Sequence, residues 1–188
     1  MTDLRVPSEF SAYRREGGAW LIEVRLRDVR QLFHNLDPAP FREKDLDPDA
    51  ETYIVDAVRE LGHTQSCKLL VYLPQSQCGT EDAQSLPGAV RHYFEYRARH
   101  AREERHRLLG RGVGNLVIGL VFMSGCLWLR RLAMTLIGQE ALAEGLLLVG
   151  WVAMWRPIEI FLYDWWPLLK QQRRFEAIGR MPVEVRAG

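Results

Sequence analysis

Cysteine is scarce: Cys67, Cys78 and Cys126 are the three in a chain of 188 residues. They are odd in number and far apart, and Cys126 sits in an apolar block. A disulfide framework is therefore not expected, and a reducing compartment is. Also absent are Cys-x-x-Cys, His-Glu-x-x-His, Gly-x-Ser-x-Gly and the Walker glycine loop, so no standard nucleophile, metal or nucleotide motif is present. A net charge of +1 excludes a globally basic nucleic-acid binder. From Met1 to Ala19 the chain is polar, with Arg5, Arg14, Arg15 and Glu16, so no secretory leader is expected.

What is present is a partition. Residues 1–87 carry 10 Lys/Arg against 15 Asp/Glu, and residues 88–111 carry 7 against 3. Residues 112–169 hold 3 against 4, and residues 170–188 hold 5 against 2. The near-neutral total thus joins an acidic head, a basic collar, an apolar block and a basic tail.

Val113 to Leu129 has no charged residue and is about the minimum length for a membrane span. Arg130 and Arg131 close it, although long basic side chains can snorkel and let a helix run on through Leu132–Ile137. A turn is expected at Gly138-Gln139-Glu140. The second apolar run, Leu142 to Tyr163, contains Glu144 and is interrupted by Arg156-Pro157-Ile158-Glu159. Two readings of it compete. In one, a kinked helix continues, with Arg156 and Glu159 a turn apart and able to pair. In the other, the span ends near Trp155 and a new helix begins with Pro157 in its first turn. Ile158, Phe161, Leu162, Trp165 and Leu169 predict an apolar stripe, with Glu159, Tyr163 and Asp164 opposite. Trp151, Trp155, Trp165 and Trp166 suit a headgroup belt. A buried helix pair in a soluble protein is the competing reading, but the basic outer flanks favour a membrane hairpin. Positive charge on both flanks places both termini in the cytoplasm, with Arg130 and Arg131 pulling the other way.

Within the head, Trp20, Ile22, Val24 and Leu26 alternate with Leu21, Glu23, Arg25 and Arg27, predicting a half-buried strand. A short helix is expected over 29–36. Asp47-Pro48-Asp49-Ala50-Glu51 is a helix start, and that helix buries Tyr53 or Ile54, Val58 and Leu61 and stops at Gly62. Cys67–Leu73 reads as a more apolar, central strand, residues 75–87 as a polar loop, and Gly88 as the start of a basic helix. Two strands make a meagre sheet. A third is sought in residues 4–14, in Val183–Arg186, or in a neighbouring chain. The fold class expected is α+β: a small cytosolic α/β domain, a long basic helix and a two-helix transmembrane hairpin.

Candidate sites are few. Asp37, Asp45, Asp47, Asp49 and Glu51 imitate a calcium loop loosely. They lack its glycine and its bidentate glutamate, so helix capping is the better account. His92, His100 and His106 lie at spacings of eight and six, neither of them the i, i+4 spacing that sets two ligands on one face, and His34 and His63 are isolated. No metal, cofactor or catalytic residue is expected. Arg102, Arg105, Arg107 and Arg111, with Arg173 and Arg174, read as contacts to an anionic inner leaflet rather than to nucleic acid. Gly114, Ile118, Val121 and Gly125 share a face, and Gly145 and Gly150 offer a second groove for close helix approach. Arg156, Glu159 and Glu144 are charges at membrane depth and candidates to line a pore.

The stretches WRPIEIFLYDWWPL (155–168) and DPAPFREKDLDPDAE (37–51) resemble small bacterial membrane proteins that join a short cytosolic domain to a two-helix hairpin. The resemblance implies a bacterial inner membrane and carries no activity or functional residue. The sequence thus points to a non-enzymatic anchored protein whose head binds a soluble partner or assembles into a homo-oligomer. An oligomeric channel is the alternative.

Overall fold

The computed structural model describes residues 13–34, 40–62, 66–136, 138 and 140–188. The chain divides into two compact units. One holds the chain up to Arg99 together with Gln172–Gly188, and the other is His100–Gln171.

The first unit is built on a sheet in the order β1-β2-β3-β4. The two-residue strand β1 (Arg15–Glu16) pairs antiparallel with β2 (Ala19–Arg25) through Gly17 and Gly18, both at positive φ. Such a turn demands glycine because its left-handed backbone crowds any Cβ. β2 pairs parallel with β3 (Cys67–Leu73), and β3 pairs parallel with β4 (Val183–Ala187). Parallel neighbours require crossovers. The first is α1 (Pro48–Leu61), capped by Asp47, whose carboxylate accepts from the Asp49 amide at 3.0 Å, and ended by Gly62 at φ 83°. It buries Ile54, Ala57, Val58 and Leu61 and leaves Tyr53 half exposed, its hydroxyl donating to the Glu23 carbonyl. Leu69, Leu70 and Val71 are wholly buried, so β3 is covered on both faces, as a central parallel strand must be. Trp20, Leu21 and Ile22 are buried consecutively, so β2 is covered on both faces at its start rather than alternating.

The second crossover contains everything from α2 to α4. Helix α2 (Glu81–Leu136) begins seven residues before the expected Gly88. Thr80 is the reason: its hydroxyl accepts from the Ala83 amide at 3.2 Å, and Glu81 and Asp82 follow at the positive end of the helix. Pro87 is then carried inside the helix rather than ending a loop. The segment 29–36 yields only a single 3-10 turn, Val29–Leu32, with a capping box between Asp28 and Gln31. Its last two residues lie outside the described part. So do most of 4–14, the other candidate for a third strand, and residues 137 and 139 of the expected turn. Gly138 is described, at φ 65° with its amide donating to the Ala133 carbonyl.

The tail is not a separate segment. Phe175 and Ile178 of α4 (Trp165–Gly179) are buried, and Phe175 packs against Phe94 at 6.1 Å between ring centroids. β4 then completes the sheet. The units divide inside α2 between Arg99 and His100, and inside α4 between Gln171 and Gln172, two residues from the division expected after 169. The head is therefore one mixed sheet, parallel from β2 to β4, whose last crossover contains a 72-residue insertion, His100–Gln171.

Candidate functional site

Within the second unit, α3 (Glu140–Glu159) continues through a π-helical stretch, Ile160–Asp164, into α4 without a break. The second apolar run is therefore continuous through Pro157, as in the first of the two readings, and no new helix begins there. Two helices are long and apolar enough to cross a membrane, and only 17% of the apolar window of each is buried. Their outer surfaces are apolar: Ile118 and Val121 are each 69% exposed, Val152 74% and Trp155 66%.

The buried residues form a seam of small side chains. On α2, beyond Ala101, they are Gly112, Gly119, Cys126 and Ala133, seven residues apart. On α3 they are Ala143, Gly150 and Pro157, also seven apart. A Cβ on Gly112 would lie 2.7 Å from Ile160 Cγ2, one on Gly119 would lie 3.3 Å from the Ala153 carbonyl oxygen, and one on Gly150 would lie 2.5 Å from Met123 Sδ. Position rises on one helix as it falls on the other, so α2 and α3 run antiparallel within this unit. A seven-residue repeat is the period of a left-handed supercoil, and small residues let backbones approach where no hydrophobic force drives packing.

The glycines singled out from sequence divide. Gly150 is in the seam. Gly114, Gly125 and Gly145 have open space where a Cβ would point. Gly112 and Gly119 are the contacts that sequence reasoning missed; their signal was the heptad with Cys126 and Ala133, which a search for glycine pairs overlooks.

Arg156 pairs with Glu159 at 3.1 Å and with Asp164 at 3.2 Å, while Trp155 Nε1 donates to Glu159 at 2.9 Å. The π-stretch explains the longer pair. Eight α-helical residues leave two side chains about 80° apart around the axis, and the extra residue of a π-turn winds that offset back. Of the expected apolar stripe, Ile158 and Leu162 are exposed and Phe161, Trp165 and Leu169 half-buried, while Ile160, three residues beyond buried Pro157, is buried. Pro157 has no amide hydrogen, so the Ala153 carbonyl loses its usual helical donor. That carbonyl is the one facing Gly119. Glu144 is exposed.

Among the arginines, Arg102, Arg107, Arg111 and Arg173 are exposed and Arg105 and Arg174 half-buried. Arg107 pairs with Glu103 one turn away. In the head, the acidic segment is explained by local structure. Asp47 caps α1, and Glu51 accepts from Tyr93 at 2.7 Å and pairs with Arg97 at 2.8 Å, tying α1 to α2. Asp37 lies outside the described residues. On the sheet, Arg186 pairs with Glu16 at 2.9 Å and Glu184 at 3.0 Å, and Lys68 also contacts Glu184. These hydrogen bonds from cations hold the Glu16 and Glu184 carboxyls below their usual range. Burial pushes the Cys67 thiol up, away from reactivity. No cluster of three metal-ligating side chains occurs among the described residues.

Comparison with protein-family models, with curated proteins and with solved structures finds no match to this chain. The functional reading rests on the residues themselves.

Proposed function

We propose that the chain is a non-enzymatic membrane anchor that presents its α/β head at the cytoplasmic face of a bacterial inner membrane for protein interaction or self-assembly. One observation carries this reading. The head takes strands from both sides of the apolar insertion, β3 before it and β4 after it. Any crossing made by the insertion must therefore return to the side it left, as a hairpin does. The antiparallel seam and the apolar outer surfaces of α2 and α3 supply that hairpin, since exposed Ile118, Val121 and Val152 are costly in water and neutral in lipid. The positive-inside rule assigns the head to the cytoplasm, where Arg102, Arg105, Arg107 and Arg111, with Arg173 and Arg174, meet anionic headgroups.

The test is flotation with anionic liposomes combined with cysteine accessibility in intact cells. The protein is expected to float and to resist carbonate extraction. A cysteine introduced at Gly138 should label from outside, and one introduced at Thr80 only after lysis. A protein that stays at the bottom of the gradient, or labels the other way round, overturns the reading.

The Arg156–Glu159–Asp164 cluster favours one alternative, a pore of assembled hairpins with these charges facing its interior. That reading expects ion flux in proteoliposomes, lost in Arg156→Ala and in Glu159→Ala. Flux at the level of empty liposomes removes it.

A further inference from the structure

β4 ends the strand order, and among the described residues nothing pairs with its outer side. The direction of its peptide groups follows from its bonds to β3. The Leu69 amide donates to the Pro182 carbonyl at 2.9 Å, and the Gly188 amide donates to the Leu73 carbonyl at 3.0 Å. Residues 182, 184, 186 and 188 thus turn their peptide groups toward β3. Strand alternation turns those of Val183, Val185 and Ala187 outward. An unpaired edge is a template for another strand, and proteins usually blunt it with lysine or proline. Val-Glu-Val-Arg-Ala has neither.

The sequence of this edge is complementary to itself. Two copies laid antiparallel about Val185 set Val185 against Val185 and Val183 against Ala187. These are the residues whose peptide groups point outward, so they fill the hydrogen-bonded positions. Glu184 of each copy then faces Arg186 of the other in the close pairs, about 4.5 Å between Cα atoms, where side chains interact most. The neighbouring registers that keep the same alternation set Glu184 against Glu184 or Arg186 against Arg186. Like charges directly opposite are destabilising, so charge selects the register about Val185. We propose that the outer edge of β4 is a self-pairing surface whose occupant is β4 of a second copy, giving one continuous eight-stranded sheet. This names the surface for the self-assembly part of the proposed function and rests on it, while membrane anchoring stands apart.

The experiment is the dissociation of full-length protein in detergent micelles, followed by sedimentation across a dilution series. Val185→Pro is the variant of choice, because the Val185 amide points outward and proline there removes no bond to β3. The parent chain is expected to be a dimer, and Val185→Pro to raise its dissociation constant at least about tenfold with helical content unchanged. In Val185→Cys the two new thiols meet at the symmetry centre, so mild oxidation should link them into a dimer that the parent does not form. A parent that is monomeric throughout the series overturns the proposal, as does a Val185→Pro assembly as tight as the parent's. If Val185→Pro misfolds, absence of the Val185→Cys cross-link overturns it alone. Flotation of the same samples tests the anchor separately, so the two readings fail independently.

Discussion

Truncating the chain after Met181 is expected to unfold the head, although it removes only seven residues from the far end of the sequence. The loss is large because β4 lies beside the most buried strand of the molecule. Leu69, Leu70, Val71 and Leu73 are at most 1% exposed, and five register pairs join β3 to β4. Without β4, β3 becomes an edge with open peptide groups, and the half-buried Val183 and Val185 contribute nothing. Each such ladder position is worth on the order of 1 kcal/mol, against a total stability of roughly 5–15 kcal/mol for a whole domain. Amide exchange reads the result directly: protection at Leu69, Val71 and Leu73 should fall to that of an unfolded segment. Removing Gly188 alone takes one bond and should lower the melting temperature by only a few degrees. A truncated chain that keeps its protection would show that the head does not need β4. There is also a kinetic consequence. Because β4 follows the insertion, the head cannot close its sheet until both apolar helices have been synthesised.

That dependence explains what was legible in the sequence and what was not. The strand Cys67–Leu73 and the helix start at Asp47-Pro48 are local signals, written in an apolar run and a capping pattern, and both were readable. So was the existence of two apolar helices. The role of Val183–Ala187 was visible only as one option among three, because pairing across a hundred residues leaves no local trace. The start of α2 at Glu81 had a signal in Thr80-Glu81-Asp82, masked by Pro87, which reads as a breaker when met before the cap. The π-stretch after Glu159 left no trace in the sequence, because a helical periodicity assumes 3.6 residues per turn throughout.

Helix contact was the hardest feature to place, because α2 carries two tracks of small residues. Gly114 and Gly125, with Ile118 and Val121, form the more conspicuous one. The track that packs is Gly112, Gly119, Cys126 and Ala133, where only two members are glycine. Substitutions that separate the tracks are expected to give the second large effect. Gly119→Leu forces a side chain against the Ala153 backbone, which cannot yield as a flexible side chain would. Gly150→Leu drives into Met123 and Cys126, and Gly112→Leu into the branched carbon of Ile160. Overpacking of this kind costs about 1–3 kcal/mol per site, with the upper part expected where backbone is met. Gly114→Leu, Gly125→Leu and Gly145→Leu point into open space and should stay within about 0.5 kcal/mol of the parent, because they also gain helix propensity. Unfolding of the detergent-solubilised protein, followed by tryptophan emission from Trp128, Trp151 and Trp155, measures each difference. Equal losses from both sets would place the helix contact elsewhere. Pro157→Ala sharpens the comparison, because it restores a donor to the Ala153 carbonyl and removes the ring carbon that would lie 3.8 Å from a Cβ on Gly119. If the Ala153 carbonyl oxygen sets the limit at Gly119, Gly119→Leu should stay damaging with alanine at 157, whereas relief by that alanine would assign the limit to the proline ring.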